Sequence, residues 1–194
     1  MDGFVVEPGG IEDLDALEPL WVAVHHQHQH AVPELAPYVS DTETWREHVV
    51  VYRELYAEHD PVLLIARADD RLAGYALGYT MPASGTWLAD TWATGARLGE
   101  IETLSVLPEF RGRGLGSMLL DELHEALRQQ GAEDFILGAL AGNVDAIRLY
   151  ERHGYRPTWL YLSRLAGRGA PTDTQATTPN PIIALEAAEA TPEA

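Results

Sequence analysis

The stretch that decides the fold is Ile101–Leu120, IETLSVLPEFRGRGLGSMLL. An apolar run ends at Val106, Pro108 breaks it, and Gly112, Gly114 and Gly116 follow at alternate positions directly before a leucine-rich segment. Leu115, Leu119, Leu123 and Leu127, with Met118, Leu120 and Ala126, recur at helical spacing and predict a helix that Gly131 ends. Glycine lets backbone come close to a ligand, and the first turn of a helix leaves several N–H groups without internal acceptors. Strand, glycine turn and helix in this order make an anion site. A pyrophosphate can accept from the amides of Arg113 to Gly116, at the positive end of the helix dipole, with Arg111 and Arg113 beside it. A glycine-rich connection with no ligand is the plainer reading of the same residues. A P-loop is excluded, because it ends in Lys followed by Ser or Thr and the chain contains no Lys. A dinucleotide fingerprint does not fit either: the glycines are spaced GxGxG rather than GxGxxG and lie past mid-chain.

Outward from the turn, the pattern alternates between periods of two and of three to four residues. On the N-terminal side, Phe4–Val6 predicts a short strand, Glu12–His30 a helix that Pro19 bends or divides, and Thr42–Glu58 a second helix capped by Asp41 or Thr42. Val62–Arg67 and Leu72–Thr80 read as an antiparallel strand pair, Met81–Gly99 as a long connection carrying Trp87 and Trp92, and Glu100–Val106 as the strand that enters the turn. On the C-terminal side, Asp134–Leu140 reads as a strand, Asn143–His153 as a helix, and Tyr155–Leu165 as closing strand material. The order strand, helix, strand, helix, strand in the latter half implies an α/β layer with some strands parallel.

A chain of 194 residues with 46% hydrophobic content is long enough for one cored domain, expected over 1–166. From Gly167 the composition turns to Pro, Thr, Ala and Glu, which predicts a disordered tail over 167–194. No apolar run approaches the ~20 residues that cross a bilayer, and no Cys is present for disulfide or thiolate chemistry, so no membrane partner and a cytoplasmic location are expected. Thirty acids face 13 arginines, and residues 1–60 alone carry a formal charge of −11. Such a surface argues against nucleic acid as a partner. The acidic first third is either a solvated helix surface or a region that attracts a cationic substrate.

The stretch RGRGLG, Arg111–Gly116, preceded by LSVLPEF and followed by SMLLDEL, resembles the acyl-CoA-binding motif of the GNAT superfamily, Arg/Gln-x-x-Gly-x-Gly/Ala. Arg111, Gly114 and Gly116 fill its defining positions. NVDAIRLYERHGYRP, Asn143–Pro157, is similar to that family's second segment, with Asn143, Ala146, Leu149, Tyr150, Gly154 and Tyr155 matching. The resemblance implies a mixed, mostly antiparallel sheet with one splayed parallel strand pair and flanking helices. It further implies acetyl-CoA as acyl donor, no metal, and direct transfer to an amine.

By the same resemblance, the pantetheine arm would pair with backbone groups of Leu104 and Val106, and the turn Arg111–Gly112–Arg113–Gly114–Leu115–Gly116 would hold the pyrophosphate. Asn143 would sit near the pantetheine arm, and Tyr150 occupies the position that often serves as acid to the departing thiolate. An alkyl ammonium with a pKa near ~10 has no lone pair at neutral pH, so a base must take its proton. Glu102 is the preferred base, with Glu100 two residues earlier on the same strand face; both also read as edge-of-sheet or substrate-orienting charges. Trp21, His25, Trp45 and Tyr52, on the first two helices, are candidates for the walls of the acceptor pocket and are equally ordinary core residues. Trp87 and Trp92 could cover the same cleft.

HHQHQH, His25–His30, invites a metal reading because His26 and His30 share a helical face, but no acid stands immediately beside it in sequence. The expected acceptor is a primary amine on a small molecule or a peptide, with a cationic one favoured by the acidic first third. The alternative is an acyl-CoA-binding regulatory or interaction module with little turnover. A homodimer is a further expectation from the resemblance.

Overall fold

The computed structural model describes residues 3–166, so the expectation for 167–194 lies outside the described residues. In chain order the elements are β1 (Phe4–Gly9), α1 (Glu18–Ala31), α2 (Asp41–Glu58), β2 (Val62–Ala68), β3 (Arg71–Pro82) and α3 (Trp87–Thr91). They continue with β4 (Arg97–Val106), α4 (Leu115–Gln129), β5 (Asp134–Leu137) and α5 (Val144–Arg152). The strands form one sheet in the order β1-β2-β3-β4-β5. The first three pairings are antiparallel and the last, β4 with β5, is parallel. The right-hand half is the expected α/β layer: β4, the crossover helix α4, and β5 alongside β4.

Two apolar clusters lie on opposite faces of the sheet, and the period of two decides which residue joins which. Leu64 and Ala66 of β2 point toward α4, while Leu63 and Ile65 point toward α1 and α2. Leu115, Leu119, Leu120, Leu123 and Leu127 are all buried at 1% exposure or less, which stabilises the α4 contact by about 1.5–3 kcal/mol per side chain. The helix sits close because β3 is small beneath it: a Cβ on Gly78 would come within 3.1 Å of Leu127 and 3.2 Å of Leu123. On the other face Leu14, Leu17, Leu20, Trp45 and Tyr52 pack on Tyr75 and Leu77.

Several expected boundaries move. The stretch before Pro19 is a 3-10 turn over Ile11–Leu17, and α1 begins at Glu18 with the proline in its first turn, where its missing N–H costs nothing. The cap of α2 is Ser40 rather than Asp41 or Thr42, its hydroxyl accepting from the Glu43 amide at 3.2 Å. The long connection before β4 contains α3, and β5 stops at Leu137 instead of Leu140. The closing strand expected over Tyr155–Leu165 is not a strand: Tyr161 and Leu162 stand 83% and 88% exposed. Pro157 removes a ladder donor at its start, and the four residues of β5 offer a short edge to pair with.

Candidate active site

The site is built where β4 parts from β5. Their pairing covers only Leu98–Ile101 against Asp134–Leu137, whereas β4 runs on through Glu102–Val106. The cause is written in the pairing with β3: Gly78 opposes Ile101 and Leu77 opposes Thr103, so Glu102 is an extra residue in the ladder. A bulge bends its strand and raises the local twist. Among the described residues, the β4 edge beyond Ile101 has no strand partner on the β5 side.

The same bulge places the two acids. Glu100 accepts a hydrogen bond from the Tyr79 hydroxyl at 2.8 Å, and Glu102 acts electrostatically on Tyr52 and Tyr75, so both face the α1–α2 layer. Burial pushes the Glu102 carboxyl above the usual carboxylate range, and the neighbouring Glu100 charge adds to it. Thr103 and Ser105 continue on that face, where Thr103 accepts from Tyr52 at 2.6 Å and Ser105 donates to the Leu20 carbonyl at 2.8 Å. These two bonds clamp β4 beneath α1 and α2.

The glycine turn has the backbone that its sequence demanded. Gly112 and Gly114 have φ of +73° and +86°, a region that disfavours side chains, and Gly114 caps α4. Gly116 lies in the first turn of α4, where a Cβ would stand 3.4 Å from Leu149 of α5 and 4.0 Å from Val106 of β4. Gly116 thus stands close to both the end of β4 and α5.

The two arginines of the turn are engaged elsewhere. Arg111 donates through Nε to the Val106 carbonyl at 2.9 Å and through Nη1 to Gln27 Oε1 at 3.1 Å. The Arg113 guanidinium lies 4.8 Å from the Phe4 ring centre and 5.9 Å from that of Phe110. Gln27 Nε2 reaches Asn143 Oδ1 at 3.5 Å, so one α1 side chain joins the glycine turn to the start of α5. A cleft of about 300 Å³ lies beside this contact, between Val22, Ala23 and His26 of α1 and Pro108. The residues gave no signal for Gln27, because its contacts lie 84 and 116 positions away along the chain.

Tyr150, on α5, packs against the α4-side core and meets Tyr155 edge-on at 5.9 Å. Burial alone raises its phenol to about 12. Leu104 and Val106 pack on that same side. Acid and base candidates therefore stand on opposite faces of the unpaired end of β4.

Of the four candidate wall residues, Trp45 and Tyr52 are 8% and 0% exposed and belong to the core, and His25 is buried beside the Val39 carbonyl at 3.1 Å. Trp21 is half-buried, stacked on His48 with ring centres 3.3 Å apart, and its Nε1 donates to Thr44 at 3.1 Å. Burial, with His28 adding to it, lowers His48 to about 4; burial, with His25 adding, also lowers His28. Sequence reasoning passed over His48. Trp87 packs on Trp92 and Trp159, with ring centres at 6.0 and 5.1 Å. The histidine run is dispersed: His26 binds the Asp41 carboxylate at 3.0 Å while His25 turns inward. Among the described residues no group of three or more His, Asp or Glu side chains is placed to hold a metal ion.

Comparison with known proteins agrees with this geometry. Residues 16–155 match the model of the acetyltransferase (GNAT) family. An aminoalkylphosphonate N-acetyltransferase of Salmonella typhimurium is 46% identical over 59 residues, 30% of this chain and 38% of that protein. A mycothiol acetyltransferase of Beutenbergia cavernae is 31% identical over 157 residues, covering 77% of this chain and 43% of its own length. The chain spans less than half the length of these curated relatives. A Clostridium acetobutylicum acetyltransferase structure containing acetyl-CoA shares the fold with a TM-score of 0.59 at 19% identity, over 83% of this chain and 96% of that one. With a family match across most of the described residues and the splayed β4–β5 pair beside the glycine turn, the chain belongs to the acetyltransferase (GNAT) family.

Proposed function

We propose that the chain transfers the acetyl group of acetyl-CoA directly to a primary amine of a small molecule or peptide. The observation that carries this reading is the unpaired Glu102–Val106 edge of β4, opening onto the glycine turn of α4. A pantetheine arm is an amide chain that can pair with such an edge as a strand would. Its pyrophosphate then lies at the turn, held by the amides of Arg113–Gly116 and the helix dipole. Arg111 and Arg113 shape the turn rather than pair with the phosphates, since one is tied to Val106 and Gln27 and the other lies over Phe4 and Phe110. Asn143, held by Gln27, borders the arm from α5.

Donor and acceptor approach from opposite faces of β4 in this reading. The donor lies on the side of Leu104, Val106 and Tyr150, and the amine on the side of Glu102 and Glu100. They meet through the gap between β4 and β5. Glu102, with its carboxyl raised above the usual carboxylate range by burial and by the Glu100 charge, is better matched to take the ammonium proton than an ordinary carboxylate, directly or through water. The amine nitrogen then bonds to the thioester carbon and loses a second proton as the C–S bond breaks, leaving an amide, a CoA thiolate and that proton to neutralise it.

Tyr150 remains a neutral phenol with its pKa at about 12. Full transfer of its proton to a thiolate of ordinary pKa, ~8.5, is uphill. Its role is therefore a hydrogen bond that strengthens as charge develops on sulfur, while the second proton lost by the nitrogen neutralises the thiolate and the first leaves through Glu102 to solvent. The curated relatives bear the names of amine acetyltransferases, which supports an amine acceptor without choosing it.

The test is calorimetric titration with acetyl-CoA, alongside the variant Gly116→Glu, whose carboxylate would stand where the pyrophosphate is placed. Saturable binding by the parent protein, lost in a variant with an unchanged circular dichroism spectrum, supports the donor site; CoA thiol release with a panel of amines then supports turnover. No binding at millimolar acetyl-CoA overturns the reading. Binding without thiol release for any amine leaves an acyl-CoA-binding module in its place.

A further inference from the structure

One side of α5 carries a feature that the transfer chemistry does not use. Arg148 and Arg152 stand four residues apart on one side of α5, and Arg156 follows in the irregular chain beyond it. Together with Glu151 they line an open cavity of about 430 Å³. In a chain with a formal charge of −17, three guanidinium groups around one cavity are a local reversal of the field.

Neighbouring acids neutralise them only in part. Arg148 stands 3.9 Å from Asp145, at the limit of an ion pair and well exposed. Arg152 has no ion pair among the described residues. Arg156 is steadied by its own backbone, with Nη1 donating to the Tyr155 carbonyl at 2.7 Å and to that of Glu151 at 3.5 Å. Glu151 is the one carboxylate on the cavity wall, so the balance there is positive.

The position of α5 says what such a cavity can receive. Leu149 lies against Gly116, and His153 stands 3.5 Å from Asp121, so α5 runs beside the first two turns of α4. Arg148 and Arg152 flank these contacts along α5. The arginine-lined cavity thus lies on the helix that packs against the glycine turn. Guanidinium groups bind tetrahedral phosphoryl oxygens through paired N–H donors, with better geometry than an ammonium.

We propose that Arg148, Arg152 and Arg156 form a subsite for a phosphate monoester, occupied by the 3′-phosphate on the ribose of the acyl-CoA donor. The assignment rests on the acetyl-CoA reading above. The 3′-phosphate and the 5′-pyrophosphate hang on one ribose, so a pyrophosphate at the glycine turn holds the 3′-phosphate close by. Its charge is then met by side chains, whereas the pyrophosphate is met by backbone amides. The subsite selects donors that carry the phosphate and contributes nothing to transfer at the thioester.

Calorimetric titration of the full chain with acetyl-CoA and with acetyl-3′-dephospho-CoA tests this, using the parent protein, the double variant Arg148→Gln/Arg152→Gln, and Arg46→Gln as a distant charge control. The parent protein and the control are expected to prefer the phosphorylated donor by about tenfold or more, with the preference falling as salt rises. The double variant is expected to bind the dephospho donor as the parent does and to lose the preference. Equal binding of the two donors by the parent protein overturns the subsite, and is the outcome if the arginines instead receive a phosphate on the acceptor. A preference that survives in the double variant overturns it too. If the parent protein binds neither donor, the acetyl-CoA reading has failed and the subsite falls with it.

Discussion

Arg111 folds back from the glycine turn so that its Nε donates to the carbonyl of Val106, 2.9 Å away, on the strand that feeds the turn. The side chain thereby closes the loop between β4 and α4. Its second bond, to Gln27, carries the tie across to α1, and from there to Asn143. The two sequence segments that mark the family are held to one another through a residue that belongs to neither.

Replacing Arg111 with Ala should therefore weaken acetyl-CoA binding through loss of turn geometry more than through loss of charge. A double-mutant cycle with Gln27→Ala, read as acetyl-CoA affinity, should give a coupling of about 0.5–1.5 kcal/mol. Strict additivity would mean that the 3.1 Å contact does not order the turn.

Tyr150 packs on the α4-side core through its ring, and burial is the sole influence on its phenol. Tyr150→Phe should preserve the fold and the donor affinity while lowering kcat by about 10²–10³-fold, the range for loss of one hydrogen-bond donor to developing charge. Steady-state thiol release and acetyl-CoA calorimetry together check this; an unchanged kcat removes Tyr150 from the chemistry.

As the proposed base, Glu102 should set an activity limb, and its burial a stability cost. A base works when ionised, so kcat/KM should rise with pH through a carboxyl pKa above the usual range. Glu100→Gln removes the like charge and should move that limb to lower pH. The sign for stability is the reverse: a carboxyl whose folded pKa is raised favours folding below its unfolded pKa and loses that advantage as pH rises through the folded one. Glu102→Gln should then abolish activity while raising Tm at pH 7, with the gain vanishing in acid. A Tm unchanged across pH would show that Glu102 is not desolvated.

His48 is held near pKa 4 by burial, against an ordinary 6.5. A histidine with a lowered folded pKa resists protonation in the native state, so its stability is complete above about pH 6.5 and is lost as pH falls toward 4. Urea midpoints measured across this window should fall, and His48→Phe, which keeps a flat ring against Trp21, should flatten part of the slope. An identical slope in the variant would remove His48 as a source of acid sensitivity.

The Tyr52 hydroxyl is wholly buried between Tyr75, at 2.8 Å, and Thr103, at 2.6 Å. Tyr52→Phe strands both partners, which should cost about 1–3 kcal/mol and lower Tm by roughly 2–4 °C for each kcal/mol. Thermal melts followed by circular dichroism check this; a shift of less than a degree would mean that water replaces the lost hydroxyl.

The reading of single residues stays open where long-range packing decides. Trp45 and Tyr52 read equally as pocket wall or core because aromatic residues on an early helix look alike whether they face a ligand or a core. Their exposures of 8% and 0% follow from the β3 residues beneath them, which no local pattern names. The closing strand is where the sequence reading failed: Tyr155–Leu165 has strand-forming residues, yet a strand needs an edge to pair with, and β5 offers only four residues.

What the sequence determined by itself is local and periodic. The leucine stripe of α4, the alternation of β2, and the need for glycine at positions 112 and 114 all arise within a few residues, where backbone sterics and burial act directly. The family resemblance and the order of the α/β half came from these short stretches. Tertiary structure alone decided that Glu102 is the extra residue of a bulge, because a bulge is a mismatch between two strands and cannot be seen in one. It also decided that Arg111 turns back to Val106 instead of facing an anion, and that Arg148, Arg152 and Arg156 share a cavity on the helix that packs against the glycine turn. Charges are free to move over a side chain's length, so where they finish depends on partners that only the folded chain brings within reach.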